Sequence, residues 1–329
     1  MKHYLQKLLL GLSLTEQEAY QALLFIGEGK ATSEEIAALL MGIQMKKITA
    51  PELMGFRRAM LELAISFDFR SYAAMDVCGT GGDGKDTFNI STTAAFIVAG
   101  AGQMVAKHGN HGVSSAVGSS TVLEYLGVPF TNDESILREK IEKANICYLH
   151  APLFHPAMRF VGPVRKAMGI KTFFNILGPL LNPVQVTKQL TGVYNEETFE
   201  VYEALFQATG GDFGILYALD GYDEISLTGD FLLATSETPK KQYTPQDLGF
   251  EQLSAIDLQG GATLADSANI VLDVLQNKAT AAQTQAALAN AGVALAIAQK
   301  ITLEEGIDKA KESLQSGRAY QALQKLVEA

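Results

Sequence analysis

Tryptophan is absent from this 329-residue chain, and Cys78 and Cys147 are its only cysteines. Two thiols cannot build a disulfide framework, so stability must come from packing, and a reducing compartment is indicated. No stretch approaches the roughly 20 apolar residues that a membrane span needs. Leu8-Leu9-Leu10, behind Lys2 and Lys7, is too short for the apolar region of a signal peptide. These absences predict a soluble, cytoplasmic protein. Positive charge is also scarce: 26 Lys and Arg stand against 36 Asp and Glu, a net charge of −10. That balance argues against nucleic acid as the main partner. A phosphorylated metabolite would have to be held by local positive potential with help from a metal.

The chain is long enough, and at 47% apolar residues hydrophobic enough, to form two domains. From Leu14 to about Phe69 the pattern is helical. Thr15 with Glu18, and Ser33 with Glu35, read as helix starts, and Pro51 suits the first turn of a further helix. At Ala73 the texture changes to a short apolar run that ends in Gly-Thr-Gly-Gly, as a strand feeding a loop does. A helix over Ser91–Ala101 and a strand over Gln103–Lys107 continue a βαβ rhythm. Helices over Thr121–Leu126, Glu134–Ala144 and Glu196–Thr209 and strands over Ile146–His150, Gln189–Tyr194 and Ile215–Leu219 extend it. Ala265–Leu275 and Thr280–Ala298 read as alanine-rich helices. Five of the nine prolines fall between Pro152 and Pro183, which reads as a long crossover. The expected architecture is α/β: a small all-helical N-terminal domain over 1–70, with the crossover segment at about 160–185 packing back on it, and a larger domain over 71–329. The larger domain has a mostly parallel central sheet flanked by helices.

Two glycine-rich segments carry the chemistry, Asp76-Val-Cys-Gly-Thr-Gly-Gly-Asp83 and Lys107-His-Gly-Asn-His-Gly-Val-Ser-Ser115. Glycines let successive N–H groups converge on an anion, and Lys107 adds an ammonium. Between them Asp86-Thr-Phe-Asn-Ile-Ser-Thr-Thr93 offers hydroxyls and an amide as further donors. No Gly-Lys-Ser/Thr follows the first loop, so it is no Walker motif, and its spacing is not that of a dinucleotide fold. Asp223-Glu224, just past a strand, can hold a hydrated Mg²⁺. Arg165 is the candidate for binding a carboxylate in bidentate fashion, with Arg159 competing for the role. His108-x-x-His111 and Cys147-x-x-His150 could be paired into a zinc site, but the loop glycines suit phosphate better and Cys147–His150 alternates like a buried strand.

Together with His155-Pro-Ala-Met158, Phe174-Asn-Ile-Leu-Gly-Pro179 and Asn182-Pro183, these segments resemble the anthranilate phosphoribosyltransferases of tryptophan biosynthesis, along essentially the whole chain. The resemblance implies that phosphoribosyl diphosphate contacts Gly79, Gly82, Asp83, Thr87, Asn89, Ile90, Ser91 and Thr92. It adds Lys107, His108, Gly109, Asn110, His111, Gly112, Val113, Ser114, Ser115 and Ser119. It further implies Mg²⁺ held through Ser91, Asp223 and Glu224, anthranilate contacting Gly79, Asn110 and Arg165, and a homodimer formed through the helical module. Lys107, Asn110 and Arg165 would act by electrostatics and positioning, and His108 is a candidate proton acceptor. Where many members carry Arg-Ala or Arg-Ser, this chain has His111-Gly112. The rival classes are a pyrimidine nucleoside phosphorylase, against which Asp223-Glu224 and the Asn89–Thr92 loop count, and a non-catalytic nucleic-acid-binding relative.

Overall fold

A computed structural model of the chain describes residues 1–112 and 117–329. Four helices come first: α1 (Lys2–Leu9), α2 (Glu16–Gly27), α3 (Ser33–Lys46) and α4 (Ala50–Glu62). Helix α2 begins on a reciprocal pair, Thr15 with Glu18. Helix α3 does so with Thr32 and Glu35, so its cap lies one residue before the expected Ser33. The Thr32 hydroxyl takes the Glu35 N–H, and Ser33 already belongs to the first turn. Helix α1, which the periodicity from Leu14 onward did not include, buries a single residue, Leu8.

The α/β part runs β1 (Met75–Gly79), α5 (Ile90–Gly100), β2 (Val105–Gly109), α6 (Ser119–Tyr125), α7 (Glu134–Ala144) and β3 (Ile146–His150). The proline-rich crossover carries α8 (Ala151–Phe154), α9 (Met158–Met168) and α10 (Phe174–Leu177). Then come β4 (Lys188–Gly192), α11 (Glu196–Thr209), β5 (Asp212–Ala218), β6 (Phe231–Thr235) and β7 (Lys241–Tyr243). Helices α12 (Leu264–Leu275), α13 (Ala281–Gln299), α14 (Leu303–Gln315) and α15 (Arg318–Glu328) close the chain. One seven-stranded sheet results, in the order β3-β2-β1-β4-β5-β6-β7. Strands β1 to β5 are parallel, while β6 and β7 add an antiparallel edge that the sequence reading did not anticipate.

Two large cores flank the sheet. Met75, Val77 and Leu190 face a core shared with Phe96 of α5 and with the nearly all-buried α13. On the opposite face Ile215, Tyr202 and Phe199 share a core with α1–α4 and with the crossover, where Phe56 of α4 stacks on Phe173 at 4.3 Å. The crossover thus lies between the helical module and the sheet. No single helix among the described residues is long and apolar enough to cross a membrane. Because β2 and β3 lie on one side of β1 and β4 and β5 on the other, the chain reverses direction of winding at β1. A crevice beyond the strand ends at such a point is where ligands of open α/β sheets sit.

Candidate active site

The end of β1 is shaped by two glycines. Gly79 and Gly192 are register partners on β1 and β4, and Asp223 is seated over both. A Cβ on Gly79 would stand 2.3 Å from Asp223 Oδ2, and one on Gly192 would stand 1.6 Å from the Asp223 carbonyl oxygen. Only hydrogen at both positions admits the loop that carries the carboxylates. Asp223 Oδ2 accepts from the Gly81 N–H at 2.6 Å, which ties that loop to the Gly79–Gly84 turn. Glu224 Oε1 accepts from the Ser91 N–H at 2.9 Å in the first turn of α5, and its Oε2 from the Thr87 hydroxyl at 3.4 Å.

Burial pushes both acids above the usual carboxylate range; the charge of Asp83 adds to this for Asp223, and that of Asp223 for Glu224. Two adjacent buried carboxylates with a third nearby form a site that a cation relieves. Among the described residues no group of three His, Cys, Asp or Glu side chains is arranged as a protein-only metal cage. The donor set therefore fits an ion that keeps most of its waters, as Mg²⁺ does, with Asp223 and Glu224 as its protein anchors.

Lys107 is almost completely buried, and its ammonium donates to the Val77 carbonyl at 2.5 Å. His108, the next residue along β2, turns to the other face, where its Nε2 lies 3.2 Å from His155 Nε2. Burial, reinforced by the neighbouring imidazole, holds His108 well below its ordinary value, and burial lowers His155 to about 4. Both rings are neutral near pH 7, so one donates and the other accepts. His111 meets His150 edge-on at 5.0 Å instead, and Cys147 is packed in a separate small core with Leu149. The zinc pairing of His108, His111, Cys147 and His150 is therefore not formed.

On the crossover, Arg165 of α9 reaches Asn175 Oδ1 through Nη2 at 3.4 Å, while its buried Nε has no partner. A guanidinium with an unpaired buried donor, set against the Phe174 ring at 5.3 Å, is suited to a planar carboxylate with an aromatic body. Arg159, the competing candidate, also lines the cavity, but it is exposed and lies over Phe160. Lys171, just after α9, donates to the Gly82 carbonyl at 2.5 Å and so links the crossover to the glycine turn.

These groups surround one cavity of about 660 Å³. Its wall includes Gly79, Gly82, Asp83, Thr87, Asn89, Ser91, Thr92, Lys107 through Gly112, Ser119, Arg165, Asp223 and Glu224. Ile90 does not contribute: its side chain is wholly buried in the core, which leaves only its backbone for a ligand. Val113, Ser114 and Ser115 lie outside the described residues. His155, Asn175 and Asn182 stand in segments that carry the family resemblance, but the sequence assigned them no role in the wall or its support. Their partners, His108 for His155, Arg165 for Asn175 and Asp76 for Asn182, are set by the fold.

The chain matches two family models, a glycosyl transferase helical bundle domain over residues 2–64 and a glycosyl transferase a/b domain over residues 71–320. It is 49% identical over 328 residues to the anthranilate phosphoribosyltransferase of Cytophaga hutchinsonii, covering 99% of this chain and 100% of that one. Identity to the Flavobacterium johnsoniae enzyme of the same name is also 49%, covering 100% and 99%. The crystal structure of the Thermus thermophilus enzyme superposes with a TM-score of 0.93 at 33% identity, covering 99% of this chain and 98% of that one. The Saccharomyces cerevisiae enzyme in complex with phosphoribosyl diphosphate and Mg superposes with a TM-score of 0.91 at 28% identity, covering 99% and 96%. Full-length identity near one half, on the same two-part architecture, leaves one assignment: this chain belongs to the anthranilate phosphoribosyltransferase family of glycosyl transferases.

Proposed function

We propose that the cavity performs the family's reaction, transfer of the phosphoribosyl group of phosphoribosyl diphosphate to the amine of anthranilate in tryptophan biosynthesis, with its two walls dividing the work. The observation that carries this division is the segregation of charge. The carboxylates Asp223 and Glu224, with Lys107, line the sheet side, and Arg165 with its unpaired Nε lines the crossover side. The diphosphate then sits over the Gly79–Asp83 turn, the α5 start from Asn89 to Thr92 and the Lys107–Gly112 loop. Asp223 and Glu224, with Ser91 alongside, would hold Mg²⁺, which would supply charge neutralisation for the departing pyrophosphate. Lys107 and the loop amides present fixed donors to the same developing charge. Arg165, steadied by Asn175, holds the anthranilate carboxylate, and Asn110 with the Gly79 backbone completes the slot that keeps the amine in line with ribose C1.

The N–C1 bond forms as the C1–O bond to pyrophosphate breaks, with inversion at C1. The amine nitrogen then loses one proton to water or pyrophosphate. His108, neutral and within the wall, is a candidate acceptor for that proton. The two buried free thiols accord with a cytoplasmic setting. Exposed Leu9, Leu10, Met41 and Met45 on the α1 and α3 side of the helical module accord with a second copy of the chain docking there. Sedimentation at micromolar concentration would show a dimer, and a monomer would remove that part of the reading.

The test follows anthranilate fluorescence, which the tryptophan-free protein does not mask. Adding phosphoribosyl diphosphate should quench it in an Mg²⁺-dependent manner. Asp223→Asn/Glu224→Gln should abolish the Mg²⁺ response, and persistence of that response in the double variant would dismiss the metal anchors.

A further inference from the structure

Strand β1 pairs unequally with its two neighbours. Its five residues all find register partners on β4, from Met75 with Lys188 to Gly79 with Gly192. Toward β2 a single pair forms, Met75 with Val105. Regular parallel pairing would next join Val77 to Lys107, with the Val77 N–H meeting the Ala106 carbonyl and the His108 N–H meeting the Val77 carbonyl. Side chains occupy those positions instead. The Ala106 carbonyl accepts from Asn182 Nδ2 at 2.8 Å. The His108 N–H donates to Asp76 Oδ1 at 3.2 Å. The Val77 carbonyl accepts from the Lys107 ammonium. Asn182 Nδ2 also donates to Asp76 Oδ2 at 2.8 Å, and Asn182 Oδ1 accepts from the Val184 N–H at 3.2 Å, so the amide closes the set.

Beyond Met75 and Val105 the two strands are thus bridged through side chains, and the loops that follow them are the Gly79–Gly84 turn and the Lys107–Gly112 loop. Asp76 is fully buried yet sits between a cation and two N–H donors; burial lifts it to about 6, against the pull of Lys107 and Asn182. A buried carboxylate is costly unless its partners are fixed, and here they are fixed on two other segments, β2 and the loop after α10.

We propose that Asp76 and Asn182 form a strut that sets the spacing between the diphosphate turn and the Lys107 loop, acting as positioning residues for the transfer. The strut fixes His108 through its backbone and gives Lys107 its counter-charge, so both residues present themselves to the cavity at one height. It also attaches that loop to the end of the crossover, whose earlier part carries Arg165. The inference rests on the proposed seat of phosphoribosyl diphosphate for its kinetic consequence, but the strut itself can be read without ligand.

Asp76→Asn is the informative variant. Whichever way its amide turns, one face presents N–H groups to a donor, either the His108 N–H or Asn182 Nδ2, and one of the two hydrogen bonds is lost. Asn182→Ala removes the other half without touching the charge. Hydrogen exchange of the ligand-free protein should show the His108 amide opening faster in both variants, by roughly tenfold or more for a lost buried hydrogen bond. Steady-state kinetics should show the KM for phosphoribosyl diphosphate raised and kcat lowered, a combined loss of about 10²-fold. The melting temperature of Asp76→Asn should fall, because Lys107 stays buried without its counter-charge and one hydrogen bond is lost, so the kinetics per folded molecule carry the decision. A merely structural role would give lower melting with unchanged KM and kcat per folded molecule, and would overturn the proposal. If Asp76→Asn does not fold, Asn182→Ala decides: kinetics and exchange within twofold of wild type would also overturn it. Faster exchange with unchanged kinetics in a turning-over enzyme would refute the strut's catalytic part, whereas absence of turnover in the wild type would count against the ligand assignment alone.

Discussion

Helices α13 and α5 begin in opposite ways. Thr280 caps α13 with its own hydroxyl and pairs reciprocally with Gln283, and the same device opens α2, α3, α12 and α14. Helix α5 starts at Asn89, a good capping residue, yet its side chain makes no cap. Asn89 Nδ2 reaches instead to the Val117 carbonyl at 3.1 Å, and the Ser91 N–H is taken by Glu224 from far along the chain. Helices that begin away from the cavity settle their ends locally. The helix that points into the cavity has its positive end met by a carboxylate borrowed from far along the chain, which draws Glu224 into the cavity wall.

The sharpest way to break that contrast is Glu224→Gln. The amide oxygen can still accept from Ser91, so α5 should begin as before while turnover falls roughly 10²–10³-fold, as for loss of one preorganised electrostatic group. Measuring kcat at saturating Mg²⁺ beside the melting temperature checks it; unchanged turnover with depressed melting would make Glu224 a plain cap. Thr280→Ala asks the reverse question. It should cost about 1 kcal/mol of stability and leave kcat and both KM values alone, as read by denaturant titration with an activity assay.

A smaller effect follows from pH. Asp223 and Glu224 bind protons more tightly folded than unfolded, so they withdraw stability as pH rises from the ordinary carboxylate range through their raised folded values. His108 and His155 act in the other sense: their depressed folded values withdraw stability as pH falls below the ordinary histidine value, for His155 down to about 4. Subtracting the wild-type curve from that of metal-free Asp223→Asn/Glu224→Gln isolates the acids. The melting advantage of the double variant should widen from about pH 5 to about pH 7. A flat difference would mean that the pair binds protons no more tightly folded than unfolded, against the raised values.

Much of this was legible in the residues. Glycine loops after apolar runs located β1 and β2, and Thr15 with Glu18 located a helix start, because those signals are complete within a few residues. The order of strands and helices followed from the same local periodicities. The cap of α3 was displaced by one residue because Thr32 and Ser33 are equally suitable side chains and only the Glu35 spacing separates them. The edge strands β6 and β7 escaped because their pairing partner, β5, defines them more than their own short pattern does. Asp76 was visible only as the start of a motif. What it holds, Asn182 and the His108 amide, is set by tertiary approach, and spacing along the chain carries no trace of it.

The unequal pairing of β1 also bears on how the molecule is made. Its near neighbour in sequence, β2, offers one register pair, and its strong partner, β4, emerges from the ribosome more than a hundred residues after β1. During synthesis the centre of the sheet therefore waits, with Met75 and Val77 unburied on their β4 side, until residues 188–192 appear. Non-local pairing of this kind slows folding and prolongs exposure of apolar strands. Chains truncated before β4 should accordingly be the aggregation-prone ones, while those that include it can close the sheet from its middle outward.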